Sequence, residues 1–115
     1  MSVTIYHNPR CSKSRQTLEL LNEKGVDSDV VEYLNTPPDA KTLKEILSML
    51  GISADQLLRK HEAEFKEAGL DQEGISEEQI IEAMVKFPKL IERPIVIANG
   101  KAAIGRPPTQ ILDIL

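Results

Sequence analysis

Val3-Thr4-Ile5-Tyr6-His7-Asn8-Pro9-Arg10-Cys11-Ser12-Lys13-Ser14-Arg15-Gln16-Thr17-Leu18 is the stretch on which the fold turns. It opens as a short apolar run of β type, Val3-Thr4-Ile5-Tyr6, passes through a loop, and continues as a helical segment. From Ser14 to Lys24 the residues Leu18 and Leu21 share one helical face, with Leu20 beside it, and Gly25 is a natural stop. Val30, Val31 and Tyr33 then predict a second strand, closed by Thr36-Pro37-Pro38, where two prolines prevent continuation. A strand, a helix and a strand in this order imply a parallel pair joined by a right-handed crossover.

Outward from this unit, Leu43, Ile46, Leu47 and Leu50 fall at i, i+3, i+4 and i+7, so Lys41 to Leu50 reads as an amphipathic helix ended by Gly51. Ser53 with Gln56, and Ser76 with Gln79, each have the spacing of a capping box. The first opens a short helix running into Leu57-Leu58-Arg59, and the second a helix from about Glu77 to Lys86 that buries Ile80, Ile81, Met84 and Val85. Between them Glu62 to Ala68 reads as helical and Asp71 to Gly74 as loop. The chain returns to β with Ile95–Ala98 and Lys101–Ile104 around Asn99-Gly100, the strongest short hairpin signal available. Gly105-Arg106-Pro107-Pro108 breaks the second of these strands, and Thr109 to Leu115 is expected as a final short helix. The whole order is that of an α/β, thioredoxin-like fold: a four-stranded mixed sheet with flanking helices and a helical insertion in the middle of the chain.

The chain has 115 residues, which suits a single domain spanning residues 1–115. Aromatic residues are only 3%, so the core must be built from Leu, Ile, Val, Ala and Met. A net charge of −4 gives no general attraction to nucleic acid or to an anionic membrane. No apolar run approaches the roughly 20 residues that span a bilayer, and the N-terminus reads as a strand rather than a signal segment, so a cytoplasmic location is expected. One cysteine cannot form an internal disulfide, and no Cys/His cluster has the spacing of a zinc site, so no metal is expected.

That one cysteine, Cys11, lies where strand gives way to helix, and the free N–H groups and dipole of a helix N-terminus favour a thiolate. His7, Arg10, Lys13 and Arg15 lie within four positions of it and no carboxylate does. A thiolate is the nucleophilic form, so Cys11 is read as an activated nucleophile against the competing reading of a packed thiol.

The loop His7-Asn8-Pro9-Arg10-Cys11-Ser12-Lys13-Ser14 resembles the first loop of the glutaredoxin-dependent arsenate reductase (ArsC) family, whose members begin with a similar His-Asn-Pro-x-Cys. Leu57-Leu58-Arg59, Leu90-Ile91-Glu92-Arg93-Pro94-Ile95 and Gly105-Arg106-Pro107 are similar to the later landmarks of that family, in the same order, so the likeness covers nearly the whole chain. It implies that Cys11 is the nucleophile, that Arg59, Arg93 and Arg106 gather around it, and that Pro94 follows a cis bond. It also implies a reaction that reduces arsenate to arsenite through a covalent Cys11 adduct, with glutathione as co-substrate, glutaredoxin as partner and no bound cofactor. A monomer is expected.

The residues suit that chemistry. A tetrahedral oxyanion needs planar, bidentate donors, which arginine supplies in a fork that stays charged, although for any one of the three a solvated surface charge competes. Backbone N–H groups from Ser12 to Arg15 would point at an anion over the sulfur, adding Ser12, Lys13 and Ser14 to the oxyanion set, with the Ser14 hydroxyl a donor to the thiolate. His7, Asn8 and Arg15 are read as stabilising the thiolate, His7 as a cation or through a loop hydrogen bond, with a purely structural histidine as the competitor. Better-known members carry Gly-Thr where this chain has Ser12-Lys13, which changes how closely an oxyanion meets the loop.

Two other functions fit parts of the pattern. Spx-like regulators that bind RNA polymerase share the fold, but their usual Cys-x-x-Cys pair is absent here because position 14 is Ser14. A monothiol thiol-disulfide oxidoreductase would use Cys11-Ser12-Lys13-Ser14 as Cys-x-x-Ser, yet has no need of an arginine cage. A phosphatase-like Cys-x5-Arg loop fails on spacing, since position 17 is Thr17.

Overall fold

In a computed structural model that describes residues 3–115, the chain divides into two compact units, one comprising the residues up to Thr36 with Arg93–Leu115 and the other Pro37–Glu92. The first holds a four-stranded mixed sheet in the order β2-β1-β3-β4, built from β1 (Val3–His7), β2 (Asp29–Glu32), β3 (Ile95–Ala98) and β4 (Lys101–Ile104). β1 runs parallel to β2, with Ile5 opposite Val30 and His7 opposite Glu32. It runs antiparallel to β3, with Ile5 also opposite Val96. The β3–β4 hairpin turns on Asn99-Gly100, whose φ angles of 55° and 72° are the left-handed pair that a two-residue turn matched to strand twist requires.

Alternation along β1 sets the inner face of the sheet. Val3, Ile5 and His7 point inward, and the two apolar members join Leu21, Val96, Ala98, Ile111 and Ile114 in one buried cluster. Helix α1 (Ser12–Glu23) starts two residues before the Ser14 expected from the sequence, because its first turn faces polar partners. Its buried residues are Ser14, Thr17 and Leu21, a stripe at helical spacing whose N-terminal half is hydroxylic. The expected C-terminal helix is instead a 3-10 segment, Pro108–Ile114, which still buries Ile111 and Ile114. Two successive prolines at its start and its short length favour the tighter winding. Tyr33 lies just past the end of β2 and is buried.

The second unit is the helical insertion: α2 (Ala40–Leu50), α3 (Ala54–Leu57), α4 (Ala63–Glu67) and α5 (Glu77–Lys86). The Asp39 carboxylate accepts the Thr42 N–H at 2.8 Å to start α2, and Gly51 at φ 69° ends it. Both capping boxes form, at Ser53/Gln56 and Ser76/Gln79. Leu43, Ile46 and Leu47 of α2 are buried, as are Ile80, Ile81, Ala83 and Met84 of α5, and the two helices are in contact. Val85, expected inside, is only half-buried. After a 3-10 turn at Pro88–Leu90, Ile91 makes an isolated antiparallel bridge with Leu58. The Arg59 N–H donates to Leu90 O at 2.7 Å and the Glu92 N–H to Leu57 O at 3.0 Å. Among the described residues no helix is long and apolar enough to cross a membrane.

Ile111 is fully buried in the sheet cluster, so Ile111→Ala should cost about 2–5 kcal/mol, read as a lower urea midpoint with an unchanged slope. An unaltered midpoint would contradict its place in the core.

Candidate functional site

The inward row of β1 ends on His7, and the loop after it is pinned at nearly every polar atom. The Cys11 N–H donates to Asn8 O at 3.0 Å, the Arg10 N–H to Asn8 Oδ1 at 3.0 Å, and Arg15 Nη1 to Pro9 O at 2.8 Å. Ser14, fully buried in the first turn of α1, takes the Asn8 N–H on its hydroxyl at 3.0 Å and is hydrogen bonded to His7 Nδ1 at 2.6 Å. Burial lowers the His7 pKa; Glu32 opposes this and Arg15 adds to it, so the ring is neutral at pH 7. His7 therefore acts through a loop hydrogen bond and not as a cation. The Ser14 hydroxyl, expected at the sulfur, is occupied by His7 and Asn8.

Cys11 is the N-cap residue of α1, with extended φ and ψ of −95° and 123°, and its side chain makes no capping bond to the helix. Its thiol pKa lies below the ordinary value. Partial burial pushes it up, and this is outweighed by the nearby Ser14 backbone N–H, the Arg93 guanidinium and the Lys13 backbone N–H, together with the charge of Arg106. Arg106 Nη2 stands 3.4 Å from Sγ. The Arg15 N–H, also expected to face an anion, is spent inside the helix on Cys11 O at 3.0 Å. The Ser12 and Lys13 side chains are exposed, so Lys13 serves the sulfur through its main chain.

Arg93 and Arg106 come from opposite ends of the β3–β4 hairpin and are tied together. Arg106 Nε donates to Arg93 O at 2.7 Å, and the Gly105 N–H donates to Pro94 O at 2.9 Å. Both Arg93–Pro94 and Arg106–Pro107 are cis. A Cβ on Gly105 would run into the Thr17 side chain and lie 2.8 Å from Pro94 Cγ, so only glycine lets the end of β4 close on α1 and on the cis proline. Thr17 is itself fixed, donating its hydroxyl to Lys13 O at 2.8 Å. Gly105 and Thr17 are positioning residues that the sequence reading left out; the available signal was a glycine between a strand and an Arg-Pro pair. Arg59 is placed in the helical unit, where its Nη1 donates to Glu92 Oε1 at 2.8 Å and its Nε to Glu62 Oε1 at 3.3 Å. Among the described residues no group of three or more His, Cys, Asp or Glu is placed to hold a metal ion.

This arrangement offers a sulfur with a lowered pKa at a helix N-terminus, with one guanidinium 3.4 Å away and a second, Arg93, that also favours its ionised form. It can hold the thiolate in the resting protein and can hold an oxyanion bonded to it. A model of the ArsC family matches residues 6–114. The uncharacterized protein YfgD of Escherichia coli (strain K12) is 60% identical over 114 residues, covering 98% of this chain and 96% of that protein. A protein of Neisseria meningitidis serogroup A named arsenate reductase is 48% identical over 114 residues, covering 98% of this chain and 97% of its own. The solved structure described as an arsenate reductase from Vibrio cholerae superposes with a TM-score of 0.96 at 47% identity, covering 100% of this chain and 98% of that one.

Two outcomes follow from the geometry. Gly105→Ala should destabilise the fold by about 1–3 kcal/mol and slow alkylation of Cys11, because Arg106 can no longer sit at the sulfur. Wild-type stability together with wild-type alkylation would remove the positioning role. Since the native thiol titrates below its unfolded value, its contribution to stability is complete above the unfolded pKa and is lost as the pH falls through the lowered native one. The free energy of unfolding across that window should therefore rise with pH in the wild type and be flatter in Cys11→Ser.

Proposed function

The chain belongs to the ArsC family, and on that premise we propose that it reduces arsenate to arsenite, with Cys11 as the nucleophile and glutathione and glutaredoxin as the source of electrons. The observation that carries this reading is the approach of Arg106 Nη2 to within 3.4 Å of Cys11 Sγ, beside an Arg93 guanidinium that also donates to the sulfur. A thiol-disulfide exchange enzyme gains nothing from two fixed guanidinium groups at its nucleophile; an enzyme whose sulfur attacks a charged oxyanion does.

The steps follow from charge and electron count. Arsenate enters as an anion whose oxygens Arg93, Arg106 and the Ser14 and Lys13 N–H groups neutralise, and the thiolate attacks arsenic, forming an S–As bond as hydroxide or water leaves. Arsenic must then gain two electrons, which are released when two thiols join in one disulfide. The chain has one cysteine, so no second protein sulfur is available to close that bond within it. Glutathione supplies a thiol by attacking the adduct, and an outside thiol of the glutaredoxin kind resolves the mixed disulfide. No resident cofactor is required because thiols carry both electrons. For Arg59 the family resemblance alone supports an oxyanion role, its guanidinium being held by Glu62 and Glu92.

The test is a coupled assay following NADPH loss with glutathione, glutathione reductase, glutaredoxin and arsenate. Wild type should turn over, Cys11→Ser should not, and Arg106→Gln should lose on the order of 100-fold in kcat/KM, as expected for a donor to developing charge. A flat wild-type trace with active partners, or turnover by Cys11→Ser, would overturn the proposal. A flat trace accompanied by stoichiometric binding of RNA polymerase would favour the regulator.

A further inference from the structure

Beside the Cys11 loop is a cavity of about 320 Å³ that the chemistry above does not use. One wall is the loop from His7 to Arg10, and the other is the end of β2 and the turn after it, Glu32, Leu34 and Asn35. The volume is at the lower end for a small-molecule site. The turn is held closed by the Asn35 N–H on Glu32 O at 2.9 Å and the Thr36 N–H on the same oxygen at 3.0 Å, so this wall is shaped by the backbone.

Two opposite charges face this one space. Arg10 and Glu32 are both exposed, and among the described residues neither takes part in an ion pair, with each other or with a third group. Glu32 is opposite His7 in the parallel register, which puts its carboxylate on the side of the sheet that ends at the loop. Glu32 pulls the His7 pKa up but burial outweighs it, so His7 is not a fixed cation for that carboxylate. The half-buried Leu34 supplies apolar contact, and Asn35 a donor and an acceptor. An unpaired cation and an unpaired anion across a small gap match a zwitterion: a ligand carboxylate for the guanidinium and a ligand ammonium for the carboxylate. A simple oxyanion would be met by Arg10 but repelled by Glu32, so the cavity does not suit a second arsenate.

We propose that this cavity binds the amino-acid end of the thiol co-substrate, the α-carboxylate of the γ-glutamyl group on Arg10 and its α-ammonium on Glu32. The inference rests on the reading that glutathione is that co-substrate. The reach is adequate, since Arg10 directly precedes Cys11, adjacent Cα atoms are about 3.8 Å apart, and an extended tripeptide covers about 10 Å. The free thiol of the bound peptide can therefore arrive at the S–As adduct while its far end stays anchored.

S-methylglutathione, which cannot react, tests this by amide NMR titration with no arsenate present. Saturable shifts are expected at Arg10, Glu32 and Asn35, with Kd weakened about fivefold in Arg10→Gln and in Glu32→Gln, the scale of one exposed ion pair each. A des-amino analogue should bind the wild type about fivefold more weakly than S-methylglutathione does, yet bind Glu32→Gln no worse than S-methylglutathione does. Shifts confined to other surfaces, no saturable binding, or unchanged Kd in both well-dispersed variants would overturn the subsite. Binding without arsenate turnover would sink the reductase reading and leave the cavity standing. Turnover with binding elsewhere would do the reverse.

Discussion

The sheet unit is organised around Cys11 Sγ, whose thiol pKa its surroundings hold below the ordinary value. An N-cap position normally supplies a side-chain oxygen to the first free N–H groups of the helix, and here it is held by a cysteine whose side chain closes no capping bond. The Ser14 and Lys13 N–H groups, which an α-helix cannot satisfy internally, lie close enough to lower the thiol pKa without closing a capping bond, and the Arg93 and Arg106 guanidinium groups act in the same direction, Arg106 Nη2 at 3.4 Å. Burial works against ionisation, and it is the number of donors that decides the outcome.

Holding those donors in place accounts for features of the fold that packing alone would not require. β1 ends its apolar row with a histidine, and α1 begins its buried stripe with Ser14 and Thr17, so a polar joint sits where leucine would otherwise be expected. The joint fixes the loop through Ser14 and fixes the hairpin end through the contact of Thr17 with Gly105. The hairpin in turn carries both guanidinium groups, linked by the bond from Arg106 Nε to Arg93 O. A change at Thr17 or Gly105 therefore reaches the sulfur without touching it.

Much of this was legible in the sequence because local signals agreed with the final structure. The Asn-Gly hairpin, both capping boxes, the α2 periodicity and the β1-loop-α1 unit each depend on residues a few positions apart. What escaped depends on contacts between distant segments. The start of α1 at Ser12 was hidden because its first turn buries hydroxyls, and apolar periodicity cannot register those. The assignment of the Ser14 hydroxyl to His7, and the need for glycine at 105, require knowing what lies across the joint. The C-terminal segment winds as 3-10 because Pro107 and Pro108 restrict its entry, and that winding buries Ile111 and Ile114 while leaving Leu112, expected on the apolar face with Ile111 and Leu115, exposed. Arg93 and Arg106 were found through family resemblance, since no spacing rule brings residues 82 and 95 positions away to a chosen sulfur.

The most direct test of the thiolate is its titration by ultraviolet absorbance in the wild type and in Arg93→Gln/Arg106→Gln, with Cys11→Ser as the blank. The account expects a wild-type pKa clearly below the free-thiol value of about 8.5, moving back toward it when the two guanidinium groups are removed. A wild-type value at or above the free-thiol pKa, or one unmoved in the double variant, would contradict it.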